Sequence, residues 1–165
     1  MALVVLGLGN DLLGDDGIGI LVAEALHGLE AADISVRSSA QSGLYLLEHL
    51  LGFDDAIVVD SVVGDPPGTI RELQGSDLRA VSVPSAHYAG LPEALALARA
   101  SGLRVPGRLR IFGVEIGIAQ SIGSPPSTEV IAAIPRVVDA VLDAAHAWGY
   151  ALGGPPPRQE VASLA

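Results

Sequence analysis

The run GLGNDLLGDDGIG, residues 7–19, sets Asp11, Asp15 and Asp16 among glycines at positions 7, 9, 14, 17 and 19. A glycine-rich loop between an apolar run and a helix is a common cradle for phosphate, which is drawn by amides and cations. This loop offers carboxylates instead. A dinucleotide fingerprint would place Gly at 7, 9 and 12, but position 12 is Leu, and the acid such a site needs would be Glu30, at a helix end rather than a strand end. An EF-hand needs oxygen ligands at alternating positions followed by Gly and a distal Glu, a spacing that Asp11, Asp15 and Asp16 do not have. Carboxylates among glycines suit a cation, and the glycines let a ligand or a second chain approach the backbone.

Asp15 precedes a helical pattern and is expected to cap its free amides. Asp16 reads equally as first-turn electrostatics or as a functional acid, and Asp60 tips the balance toward function. Asp60 closes the apolar run Ala56-Ile57-Val58-Val59, and open α/β sheets bind ligands at the carboxyl ends of such strands. Asp54 and Asp55, at the other end of that run, read as a solvated loop. His27, His49 and His146 fall in or near helical patterns and read as surface residues, whereas His87 lies in the loop after Val81-Ser82-Val83-Pro84. Asp16, Asp60 and His87 would then emerge from strand-to-helix loops on one edge of a parallel sheet. Two carboxylates and an imidazole are a familiar set for a divalent transition metal. An aspartic dyad remains an alternative, with His87 idle. No G-x-S-x-G elbow and no H-E-x-x-H motif is present, which removes the hydrolase-elbow serine and the helix-borne zinc protease.

The elements that must position these residues alternate as strand and helix, the signature of an α/β layer fold. Strands are expected at 3–8, 34–37, 56–63, 81–83 and 108–116, with an antiparallel edge strand at 69–73 after the turn Asp65-Pro66-Pro67-Gly68. Helices are expected at 18–29, 43–51, 91–100 and 127–148, the last capped by Ser127 or Thr128 and kinked at Pro135. The expected architecture is three-layered: a twisted, mostly parallel sheet with helices on both faces. It forms a single domain over 1–150, followed by a flexible Gly/Pro-rich tail over 151–165.

Composition narrows the chemistry further. Cysteine and lysine are both absent, which removes disulfides, thiolate nucleophiles, Walker-type phosphate binding and Schiff-base chemistry. Nine Arg stand against 19 Asp and Glu, a formal charge of −10 that repels nucleic acid and anionic lipid. The expected partner is neutral, cationic or metal-bearing. No apolar run is long enough to span a bilayer and no basic segment precedes the first apolar stretch, so a cytoplasmic location is expected.

Taken in order, GLGNDLLGDDGIG, Ile57-Val58-Val59-Asp60 and Ser85-Ala86-His87-Tyr88-Ala89-Gly90-Leu91 resemble the nickel–iron hydrogenase maturation endopeptidases. Gln41-Ser42-Gly43-Leu44-Tyr45-Leu46-Leu47 and Phe112-Gly113-Val114-Glu115 extend the resemblance over most of the chain. The resemblance implies a cut that removes a C-terminal extension from a hydrogenase large-subunit precursor after nickel insertion. It also implies that the nickel arrives with the substrate, with no tightly bound cofactor in the free protein. By motif match, the family's metal-contacting acid falls on Asp16, its strand-end aspartate on Asp60 and its histidine on His87. The chain departs from the pattern at Ser38-Ser39-Ala40, where members often carry an acid and glycines. A non-catalytic metal-sensing or chaperone module on the same fold is the other function class left open.

Overall fold

The computed structural model describes residues 1–74 and 86–152. Its first strand, β1 (Leu3–Leu8), is buried at every position, as a strand covered on both faces must be. The chain then passes through the 3-10 turn Gly14–Gly17 into α1 (Ile18–Leu26) and returns in β2 (Ile34–Ser39). A 3-10 turn, Gly43–Leu46, and the short α2 (Leu47–Leu50) lead to β3 (Asp55–Val63). The edge strand β4 (Ile70–Gln74), α3 (Leu91–Ala100), β5 (Arg108–Ile116) and α4 (Thr128–Ala147) complete the fold.

The five strands lie in the order β2-β1-β3-β5-β4. Four of them are parallel, and β4 pairs antiparallel with β5, Ile70 opposite Val114. Side chains alternate across the sheet, so each strand feeds two cores. On one face Leu3, Val5, Ile57, Val59, Phe112 and Val114 pack against α1 and α4. On the other Val4, Leu6, Ala56, Val58 and Ile111 pack under α2 and α3. The α4 stripe Val130, Ala133, Val137, Val141 and Ala144 repeats at three and four residues and is buried throughout. The expected three-layer α/β architecture, with its antiparallel edge strand, is the one observed.

Several details differ from the sequence reading. The first helix stops at Leu26 rather than 29 because Gly28, at φ +90°, turns the chain, although Leu29 still reaches the core. The expected helix over 43–51 is split into a 3-10 turn and a single α-helical turn. The second strand runs two residues further than expected, since Ser38 and Ser39 stay in register with Gly7 and Leu8. Ser127 caps α4 by accepting the Val130 amide, and Pro135 lies inside that helix without ending it. Packing continues past residue 150, with Leu152 in the core beside Tyr150. The expected strand at Val81-Ser82-Val83 and residues 153–165 of the expected tail lie outside the described residues.

Candidate active site

The connections from β1 and β3 leave in opposite directions, β1 leading to β2 on one side and β3 toward β5 on the other. The carboxyl ends of β1 and β3 therefore flank the point where strand order reverses, where open sheets leave a crevice for ligands. Asp16 enters this crevice from the loop after β1, and Asp60 from β3 itself.

Asp60 is fully buried, yet its carboxylate is well provided with donors. Its Oδ1 accepts the Ser61 amide at 2.8 Å. His87 Nδ1 lies 3.1 Å from Oδ1 and 2.9 Å from Oδ2. His87 sits in the 3-10 turn Ala86–Tyr88 just before α3. Its pKa is raised, chiefly by the hydrogen bond to Asp60; burial works against this, and the negative charges of Asp60 and Asp16 reinforce it. Beside the pair, the Tyr88 side chain is fully buried, with its hydroxyl close to Asp60. Burial, aided by the charge of Asp60 and by hydrogen bonding to it, pushes that phenol well above its usual pKa.

Asp16 lies in the Gly14–Gly17 turn. Its Oδ2 accepts the Asn10 amide at 3.2 Å and its Oδ1 the Ser61 hydroxyl at 2.5 Å. Glycine at position 9 permits this loop, because a Cβ there would lie 2.1 Å from the Asp16 carbonyl oxygen. The glycines thus let the loop fold tightly against its own backbone.

The three residues singled out from sequence meet at one edge of the sheet in two linked parts. Asp60 and His87 are directly bonded, and Asp16 joins them through Ser61. Among the described residues no three His, Cys, Asp or Glu side chains are grouped closely enough to hold a metal ion. The expected helix cap by Asp15 is not formed. Its Oδ1 instead accepts the Ser127 amide at 2.5 Å, 112 residues away, at the start of α4, while its own amide donates to Gln120. Asp15 therefore pins the loop after β5 to the glycine loop.

Comparison with known proteins gives the family. The hydrogenase maturation protease family model matches residues 21–144, a span that holds Asp60 and His87. The chain belongs to the hydrogenase maturation protease family. It is 30% identical to the hydrogenase 2 maturation protease of Escherichia coli K12, covering 90% of this chain and 93% of that protein. It is 29% identical to the hydrogenase expression/formation protein HupD of Rhizobium leguminosarum, covering 98% of this chain and 83% of that protein. The solved structure of the hydrogenase maturating endopeptidase HybD from E. coli superposes with a TM-score of 0.78 at 28% identity, over 90% of this chain and 94% of that one. The protein is accordingly a peptidase.

Two residues of the candidate site were not singled out from sequence. The Asn10 amide contacts Asp16 through the backbone, which no side-chain pattern reveals. Ser61 stands next to Asp60 in the motif, but its partner Asp16 is 45 residues away.

Proposed function

We propose that this protease removes the C-terminal extension of a nickel–iron hydrogenase large-subunit precursor after nickel insertion, and that Asp16, Asp60 and His87 engage the nickel carried by that precursor. The observation that carries this reading is the junction of the bonded Asp60–His87 pair with Asp16 in the crevice between β1 and β3. A histidine whose Nδ1 is held by a carboxylate presents Nε2 to a metal, with its orientation and tautomer set by that contact. Substrate-borne nickel held at such a site can polarise a carbonyl, activate water or serve as a template that places one peptide bond. All three roles need the same residues on the same edge.

A protein substrate is also supported by the surroundings. Leu12, Leu44, Tyr45, Val63, Ile118 and Ile122 are exposed large apolar side chains, and they follow or end β1, β2, β3 and β5. They therefore rim the edge that holds the acids, on a chain that is otherwise strongly acidic. A cavity of about 430 Å³ lined by Val63, Gly64, Asp65, Pro67, Gly117 and Ile118 lies along this rim. Val63 is three residues beyond Asp60 on β3. No helix among the described residues is long and apolar enough to cross a membrane.

The test is incubation of the purified protein with nickel-loaded precursor at substoichiometric enzyme. A shortened large subunit is expected. Asp16→Asn and His87→Ala proteins should fold and leave the precursor full length. Complete trimming by both variants, or a stable complex with no cleavage by the unaltered protein, would refute the proposal.

A further inference from the structure

Alternation along β3 sends residues 56, 58 and 60 to the face beneath α2 and α3, and residues 57, 59 and 61 to the face beneath α1 and α4. Asp60 accordingly sits on the side of His87, and Ser61 on the side of the glycine loop that carries Asp16. The backbone amide of Ser61 donates to Asp60 and its hydroxyl donates to Asp16. One residue thus spans both carboxylates. Its hydroxyl bond is 2.5 Å long, in the range of charge-assisted O–H to carboxylate bonds. Ser61 is 6% exposed, so water competes little for this bond. Apart from Ser61, one donor among the described residues reaches the Asp16 carboxylate, the Asn10 amide, and the Asp16 amide itself bonds the Leu13 carbonyl, both within the glycine loop. The Ser61 hydroxyl is thus the hydrogen bond that ties this acid to the sheet.

We propose that Ser61 is a positioning residue of the cleavage site, its hydroxyl setting the place of Asp16 relative to Asp60 so that both acids meet the incoming metal together. This rests on the reading of Asp16 and Asp60 as metal-engaging residues. Loss of the hydroxyl leaves the Asp60 contact intact, since that one comes from the backbone, and frees the Asp16 carboxylate to rotate. Residues that orient metal ligands typically contribute about 10–100-fold to affinity or activity.

The test compares wild type with Ser61→Ala and Ser61→Thr. The Ala protein should keep wild-type circular dichroism and cooperative melting while trimming nickel-loaded precursor with a kcat/KM roughly 10–100-fold lower. It should also take up Ni²⁺ alone, measured by equilibrium dialysis, at least about tenfold more weakly. The Thr protein, which keeps the hydroxyl, should recover most of both. Wild-type kcat/KM in the Ala protein, Ni²⁺ uptake by wild type no better than by the Ala protein, or a Thr protein no better than Ala would each overturn the assignment. Asp60→Asn separates the two levels of inference. If it trims normally, the reading of the site itself fails; if it is inactive while Ser61→Ala matches wild type, only the role of Ser61 fails.

Discussion

His87 Nδ1 sits 2.9 Å from Asp60 Oδ2, joining two residues 27 positions apart at the carboxyl edge of the sheet. The contact raises the His87 pKa, so the folded state binds the ring proton more tightly than the unfolded chain, where histidine titrates near about 6.5. The stability this supplies is fully present below that value and is lost as pH rises through the higher folded pKa. Melting temperatures of wild type and His87→Gln, measured from pH 5.5 to pH 9, should therefore differ most at the acid end and converge at the alkaline end. A gap that widens with pH would contradict the contact.

Gly19 carries a different constraint. A Cβ at this position would lie 2.1 Å from the Leu8 carbonyl oxygen and 2.4 Å from that of Val59. Both obstacles are backbone of central strands, which cannot move aside without disturbing the sheet. The glycine lets α1 lie directly on β1 and β3, and so brings the turn bearing Asp16 down to the strand ends. Gly19→Ala is expected to cost roughly 3 kcal/mol or more, read as a lower denaturation midpoint in urea.

At the opposite edge of the sheet Asp55 ties the chain's last described segment to the fold. Its carboxylate accepts both the Arg108 guanidinium, at 2.6 Å on each oxygen, and the Tyr150 hydroxyl at 2.7 Å. Arg108 also stacks over Trp148, 4.8 Å from the ring centroid. Burial works to raise the Asp55 pKa, but the Arg108 and Tyr150 hydrogen bonds prevail and lower it. The resulting stability is present above the unfolded carboxylate value, about 3.9, and is lost as pH falls through the lower folded value. Asp55→Ala leaves the buried Tyr150 hydroxyl without its acceptor and should cost about 1–3 kcal/mol near neutral pH. The difference from wild type should shrink in melts below about pH 4.

How far the sequence alone reveals such contacts depends on their range. Strands 3–8, 56–63 and 108–116 are legible because parallel strands covered on both faces must be apolar almost throughout. Asp60 stands out against that background, and Asp16 and His87 become visible once their loops are assigned to the same edge. Asp55 reads as solvated because its partners lie 53 and 95 residues further on, beyond any local pattern. Asp15 looks like a cap for the helix that follows it and in fact holds the start of α4. Ser61 is an unremarked strand residue until side-chain alternation and the glycine loop are both in place. Contacts made by tertiary placement of short polar side chains leave no periodicity to read.

The apolar rim gives the last prediction. Ile118 and Ile122 are 86% and 83% exposed, and Tyr45 is 67% exposed in the Gly43–Leu46 turn after β2. Large apolar side chains held in water at the mouth of a peptidase gain free energy when a partner covers them, about 25 cal/mol for each Å² of apolar surface removed from water. All three stand exposed beyond the strand ends, on segments that follow β2 and β5, so their expected contribution is to docking rather than to bond cleavage. Ile118→Asp combined with Tyr45→Asp adds charge to this rim at positions where exposure makes loss of the fold unnecessary. The double variant should raise the KM for nickel-loaded precursor by about tenfold or more, the equivalent of ~1.4 kcal/mol, while kcat at saturating precursor stays near wild type. Initial-rate measurements over a range of precursor concentrations separate the two constants. A fall in kcat with unchanged KM would place these side chains in the chemical step and not at the docking surface.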